Sequence, residues 1–178
     1  LCLTPELRLA DLPKSRRFDE LEFTFSLATE GGIRVEDIAA LMDAHGGPGL
    51  PAGYTTRLRT LSFNPLQGFM NGSIDLAFEH DGKWYVVDYK SNNLGKRAGD
   101  YVADKMAAAM SHSHYVLQYH IYAVALHRFL QWRLGDAYVF AEHFGGVRYL
   151  FLRGMSSSHA AGTGVFQDEP PEALIEGL

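Results

Sequence analysis

The chain has 178 residues, 47% of them hydrophobic and 21% charged, and a net charge of −5. That is enough for one domain with its own core, and it lacks the basic footprint of a free-standing nucleic-acid binder. No run of about 18 apolar residues is present to span a bilayer, and the single cysteine, Cys2, leaves no internal disulfide framework and fits a reducing cytoplasm.

Charges at Glu6, Arg8 and Asp11 interrupt any apolar leader segment near the start. "ELEFTFSLA" (20–28) then alternates strictly. Leu21, Phe23, Phe25 and Leu27 fall on one face and Glu20, Glu22, Thr24 and Ser26 on the other, the pattern of a half-buried strand. "RVEDIAALMDAH" predicts a short helix, closed by Gly46-Gly47 and Pro48. Residues 46–56 read as a Gly/Pro loop, and "TTRLRTLSF" as an extended connector. A hairpin follows at about 72–91, then a turn or loop at "SNNLG". From Asp100 the pattern turns helical, with "DYVADKMAAAM" and a longer helix over 114–133. The longer one is apolar on most of its circumference, which predicts burial. "GGVRYLFLRGM" supplies a strand at about 147–153. Residues 154–164 read as a flexible loop, followed by a short extended piece and a helix from Pro171. Strands and helices mixed in this order indicate an α/β or α+β domain. No glycine-rich nucleotide-binding loop of the P-loop type is present.

The hairpin carries the chemistry. Asp81-Gly82 is a strong two-residue turn signal, because both central positions of a type I′ turn need positive φ. Such a turn sets Phe78 opposite Tyr85, Leu76 opposite Val87, Asp75 opposite Asp88, and Ser73 opposite Lys90. Side chains alternate between faces. Asp75, Ala77, Trp84, Val86, Asp88 and Lys90 therefore share one face. Ile74, Leu76, Phe78, Tyr85, Val87 and Tyr89 share the other, which should lie on a core. Opposed residues have Cβ atoms about 4.5–5.5 Å apart, and like charges so placed repel. A divalent cation bound by oxygens would offset that repulsion. The side chains of Asp75 and Asp88 and the carbonyl of Tyr89 form a donor set suited to Mg²⁺. A solvent-exposed hairpin face with scattered charges satisfies the same pattern.

Asp88-Tyr89-Lys90 reads as D-x-K, a weak signal alone and an informative one beside Asp75. It suits metal-assisted phosphodiester hydrolysis, with Lys90 orienting water or stabilising negative charge. Gln118 and Tyr122 lie one helical turn apart on an otherwise apolar helix and could reach a phosphate or the attacking water. Ordinary hydrogen bonding in a core would explain them equally. Glu20 or Glu22 could add a third carboxylate, against the plain reading of a solvated strand face. His112, His114, His120 and His127 lack zinc-site spacing and read as surface or satisfied histidines. Tyr54, Tyr101 and Trp132 could stack on bases, but single aromatics more often pack.

"GFMNGSIDLAFEHDGKWYVVDYKSNNLG" resembles the nuclease domain at the C-terminus of RecB, the beta subunit of bacterial exodeoxyribonuclease V. The resemblance continues through "KMAAAMSHSHYVLQYHIYAVALHRFL" and "HFGGVRYLFLRGM" and covers about residues 16–170. It implies a restriction-endonuclease-like core of the PD-(D/E)-x-K class: a central mixed sheet with a catalytic β-hairpin, flanked by helices. It implies Mg²⁺-dependent exonuclease or endonuclease cleavage of single- and double-stranded DNA. The setting would be a cytoplasmic helicase–nuclease with RecC-like and RecD-like subunits, acting in double-strand break repair and recombination. On that resemblance Asp75, Asp88 and the Tyr89 carbonyl match metal ligands, and Lys90 matches the catalytic lysine. Gln118 and Tyr122 match a Q-x-x-x-Y motif, and Glu20 matches an acidic position, with Glu22 as its alternative. The family's metal-binding histidine, upstream of the "ELEF" strand, has no counterpart in residues 1–19. The expectation is thus a single nuclease domain over 1–178, cut short at its start. A non-catalytic docking module of the same complex and a stand-alone endonuclease of the same core are the alternatives.

Overall fold

Asp81 and Gly82 both take positive φ, 51° and 82°, so the tight turn written in the D-G pair forms. It joins two strands of a five-stranded sheet. The computed structural model describes residues 3, 7–27, 31–160 and 162–178. Along the chain come β1 (Arg17–Leu27), α1 (Val35–His45), α2 (Tyr54–Leu58), β2 (Gly68–His80) and β3 (Lys83–Lys90). Then follow α3 (Ala103–His112), α4 (Tyr115–Leu134), α5 (Phe140–His143), β4 (Phe144–Phe151), β5 (Val165–Asp168) and α6 (Glu172–Gly177). The sheet order is β1-β2-β3-β4-β5. Among the described residues only β3 and β4 are parallel neighbours. A parallel pair needs a long crossover, and α3, α4 and α5 provide it. This mixed sheet with flanking helices is the α/β, restriction-endonuclease-like arrangement expected.

Both faces of the sheet are covered. On one, Ala77, Val86, Val147 and Tyr149 pack with Val116, Tyr119, Ala123, Leu126 and Leu130 of α4. On the other, Leu76, Phe78, Val87 and Leu150 meet Leu3, Leu9 and Leu12. That double burial explains why β3 and β4 read as apolar runs.

Several expected boundaries move. The connector "TTRLRTLSF" opens with a helical turn, α2, because Tyr54 and Leu58 lie one turn apart and both bury fully. The Tyr54 hydroxyl also accepts the Leu117 N–H at 3.1 Å, tying α2 to the start of α4. β4 begins at Phe144, three residues earlier than read, through a bulge at Gly145-Gly146. A Cβ on Gly145 would meet the Tyr85 ring at 2.5 Å, and Gly146 has φ 93°. Only glycine fits both places. Ala28 of the expected first strand and residue 161 of the expected loop lie outside the described residues.

At the far edge, Tyr119 donates to Asp168 Oδ2 at 2.7 Å, and the Glu169 N–H donates to Oδ1 at 2.9 Å. Both partners of the first bond are buried. Burial pushes the Asp168 carboxyl up against these bonds. Tyr119→Phe is expected to cost about 1–3 kcal/mol in urea unfolding, the penalty for stranding a buried oxygen. A cost near zero would show that the bond contributes nothing to the fold.

One irregularity positions the site. β1 pairs with β2 in constant register, except that Glu20 and Asp75 are skipped together. Glu20 has φ 56°, a left-handed conformation rare inside a strand. The register survives, but the faces exchange. Phe18 and Phe23 are an odd number of residues apart, yet both touch α4, at Phe129 and Tyr122. Ile74 likewise joins Ala77 in the core under α4. The expectation that Ile74 shares a face with Leu76 and Phe78 is corrected: the strand pair turns over between them.

Candidate active site

The β2–β3 ladder runs as expected from His80↔Lys83 to Leu76↔Val87 and stops there. Neither Asp75–Asp88 nor Ser73–Lys90 forms a ladder pair, which corrects the register reading beyond Leu76. The turnover at Asp75 takes β2 away, while β3 stays paired with β4 through Lys90↔Phe151. The Tyr89 N–H is left without a strand partner and donates instead to Asp75 Oδ2 at 2.9 Å. Asp75 therefore sits in the fork between two parting strands, with its carboxylate fixed against the backbone of the D-x-K segment.

Asp88 and Lys90 point into the side covered by α4. Both are buried, at 3% and 8% exposure. Lys90 Nζ lies 2.6 Å from Asp88 Oδ2 and donates to Gln118 Oε1 at 2.9 Å. The Gln118 amide donates to the Tyr122 hydroxyl at 3.0 Å, and the Tyr149 hydroxyl donates to Gln118 Oε1 at 3.2 Å. The ammonium also lies 3.8 Å from the centre of the Tyr115 ring and 5.0 Å from that of Tyr149. Asp75, Asp88, Lys90, Gln118 and Tyr122, far apart in sequence, thus form one cluster.

The electrostatics are lopsided. Burial pushes the Asp88 carboxyl up, more than Lys90 pulls it down, and the charge of Asp75 adds to the rise. Asp88 Oδ2 is buried and makes no hydrogen bond: the contact with Lys90 is close, but its angles are not those of a hydrogen bond. The hydroxyls of Tyr122 and Tyr149 are pushed up by burial and by nearby Asp88, so both stay neutral.

The glutamates do not enter the cluster. Glu20 is exposed at the turnover, opposite the skipped Asp75, and Glu22 is exposed opposite Ser73. Among the described residues no three His, Cys, Asp or Glu side chains gather as a metal site. The donors present are two carboxylates and backbone carbonyls such as that of Tyr89. An all-oxygen set with one buried, unbonded carboxylate oxygen fits a hard cation that keeps several waters.

Tyr115 and Tyr149 were missed from sequence. Tyr149 faces Asp88 only through the parallel β3–β4 pairing, which no local turn announces. Tyr115 shares a helical turn with Gln118, and its hydroxyl donates to Asn92 at 3.3 Å. The histidines are satisfied: His120 Nδ1 lies 2.8 Å from the Val116 carbonyl, and His127 Nδ1 2.9 Å from the Tyr138 hydroxyl. His114 Nδ1 and His112 Nδ1 lie 3.3 and 3.4 Å from Tyr54 and Arg57. Tyr54 and Tyr101 are buried packing residues, whereas Trp132 is 81% exposed.

Among the described residues no helix is long and apolar enough to cross a membrane. No family model matches the chain. It is 43% identical over 172 residues to the RecBCD enzyme subunit RecB of Haemophilus influenzae, covering 97% of this chain and 13% of that protein. With RecB of Mycolicibacterium smegmatis it shares 41% identity over 200 residues, 99% of this chain and 18% of the relative. With RecB of Escherichia coli it shares 46% over 115 residues, 65% of this chain and 10% of the relative. The chain therefore spans less than a fifth of the length of these relatives. Along nearly its whole length, the chain is a homologue of one segment of the RecB subunit of RecBCD enzymes.

Proposed function

We propose that this chain is the DNA-cleaving part of a RecBCD-type helicase–nuclease, hydrolysing phosphodiester bonds with Mg²⁺ during double-strand break repair and recombination. RecC-like and RecD-like subunits would be its partners in the cytoplasm. The observation that carries the reading is the buried Asp88 oxygen with no hydrogen bond, beside Asp75 in the strand fork and Lys90 at 2.6 Å. Lys90 alone answers that oxygen, and burying a charge without full pairing costs stability; a cation held there would complete the pairing.

Asp75, Asp88 and the Tyr89 carbonyl would hold the cation. When bound, it neutralises charge on phosphoryl oxygens and acidifies a coordinated water. Lys90 supplies a fixed positive charge beside Asp88, suited to the negative charge that builds on a phosphate under attack. Gln118 holds that ammonium in place by accepting its hydrogen bond, and Tyr122 and Tyr149 hold Gln118. The Tyr115 ring closes the lysine from the other side.

Asp75→Asn is the cleanest test. The amide oxygen can still accept the Tyr89 N–H, so the fork stays closed while the charge is lost. Cleavage of single- and double-stranded DNA in Mg²⁺ is expected to fall at least about a hundredfold, the usual cost of removing a preorganised electrostatic group. Chelation should stop the parent chain. Cleavage by Asp75→Asn within a few-fold of the parent would overturn the metal assignment. A folded parent chain that cuts neither substrate would favour a non-catalytic docking module.

A further inference from the structure

α4 does not end its business at Tyr122. Gln118 and Tyr122 begin a stripe that continues at helical spacing through Ala125, Phe129 and Trp132. Trp132 is 81% exposed, with its ring centre 6.2 Å from that of Phe129. Phe129 meets Phe18 edge-on at 5.5 Å. Two cations flank these rings. The Arg133 guanidinium lies 5.4 Å from Phe18 and 5.9 Å from Phe129, and that of Arg128 lies 4.6 Å from Phe25. Among the described residues Arg128 donates only to the Ser26 carbonyl, at a long 3.4 Å. Among the described residues neither arginine is in an ion pair.

Between α4 and β1 the stripe borders a groove of about 270 Å³, lined by Phe23, Phe25, Arg128, Phe129, Trp132 and others. Phe23 connects it to the candidate active site, its ring 5.9 Å from that of Tyr122. Glu22 also lines the groove. Its charge would turn phosphates away, toward the arginine side.

We propose that this stripe is a stacking platform for the bases of a single-stranded nucleic acid leading to the candidate active site, with Trp132 as its outermost ring and Arg128 and Arg133 facing phosphates. The proposal rests on the cluster cutting phosphodiester bonds. An exposed indole beside cations, backed by half-buried Phe129 and Tyr122, is what unpaired bases and their backbone require. A bulky apolar protein partner would strip water from two guanidiniums and give them no counter-charge, whereas phosphates supply it. The run from Gln118 to Trp132, fourteen steps of about 1.5 Å, spans about 21 Å. At about 3.4 Å per stacked nucleotide, that accommodates about six nucleotides, within the span of known single-strand grooves.

The test is binding with cleavage switched off. The full chain in EDTA is titrated into fluorescein-labelled oligothymidylates of about three, six and ten nucleotides, lengths chosen around that groove span; the anisotropy of the label gives the affinity for parent and variants alike, and tryptophan quenching is followed in the parent. Trp84 is partly buried and stacks on Phe18 at 5.5 Å, so its share of the quenching is read from Trp132→Phe. Affinity should rise from the shortest to the six-nucleotide ligand, with quenching. Trp132→Ala should lose that rise, about tenfold in affinity, Trp132→Phe should keep part of it, and Arg133→Gln should flatten the salt dependence. Unchanged length dependence in Trp132→Ala would overturn the proposal. So would a Trp132→Ala variant that binds oligonucleotides normally but fails to associate with a second protein chain, which would make the stripe a protein interface. If the parent chain cuts no DNA yet shows the length-dependent quenching, the cleavage reading falls and the platform stands.

Discussion

Lys90→Met is expected to destabilise the chain by about 3 kcal/mol near neutral pH, the typical cost of leaving one partner of a buried ion pair alone. Methionine keeps most of the volume between the Tyr115 and Tyr149 rings, so packing changes little. What changes is Asp88, whose one ion-pair partner among the described residues is Lys90 and whose Oδ2 makes no well-angled hydrogen bond. Its carboxyl is already pushed up by burial, and removing the ammonium pushes it further. The sign follows from proton binding. A carboxyl raised in the folded state contributes stability that is fully present below its unfolded value and is lost as pH rises through the folded value. The deficit of the Lys90 variant should therefore be largest at neutral pH and should shrink toward the ordinary carboxylate range. Mg²⁺ should recover part of it, since a cation at Asp75 and Asp88 replaces the missing charge. Urea unfolding at two pH values, with and without Mg²⁺, checks all of this. A deficit independent of pH and cation would locate the loss in packing.

Asp88→Asn should separate stability from activity. The asparagine resembles the protonated acid that burial already favours. Lys90 keeps Gln118 Oε1 at 2.9 Å and the faces of two tyrosines. Without divalent cation the variant should unfold within about 1 kcal/mol of the parent, on the stable side at neutral pH, because it removes a carboxylate whose burial costs more than its attraction to Lys90 returns, while the ammonium keeps the Gln118 oxygen and two rings. The advantage should fade as pH falls and Asp88 in the parent takes up its proton. DNA cleavage should drop on the order of a thousandfold, and Mg²⁺ should no longer raise the unfolding midpoint. Cleavage within tenfold of the parent would remove Asp88 from the candidate metal site. A variant less stable than the parent at every pH would mean that the carboxylate belongs to the fold and not to function.

The parts of this site set by local chemistry were legible in the sequence, and the parts set by distant chain segments were not. Asp81-Gly82 dictated the turn, and the turn dictated the register as far as Leu76↔Val87. The spacing of Gln118 and Tyr122 put both on one side of α4, and the bond of Gln118 to Lys90, with Tyr122 behind it, follows from that side facing β3. Tyr149 could not be found this way, since a crossover of more than fifty residues separates it from its neighbour Asp88. The turnover at Glu20 and Asp75 was hidden in β2 because Ile74, Leu76 and Phe78 are apolar on whichever side they fall. In β1 it did leave a trace: Phe18 and Leu21 are three residues apart, where a regular strand would space them by two or four. The short α2 was read as extended because its turn depends on burying Tyr54 and Leu58 together under α4.

The paired skip at Glu20 and Asp75 also constrains which insertions and deletions a lineage could survive. Removing Glu20 alone, or Asp75 alone, would slide one strand past the other and mismatch every rung on one side of the gap. Removing both would leave the rungs aligned and restore a plain alternating ladder. That straightened chain would lose the acid in the fork, and with it the residue that holds the Tyr89 N–H. A repair of the ladder and the retention of the site are thus mutually exclusive at these two positions. Comparisons that assume unbroken alternation across residue 75 would slip the hydrophobic phase by one at the very carboxylate they need to match.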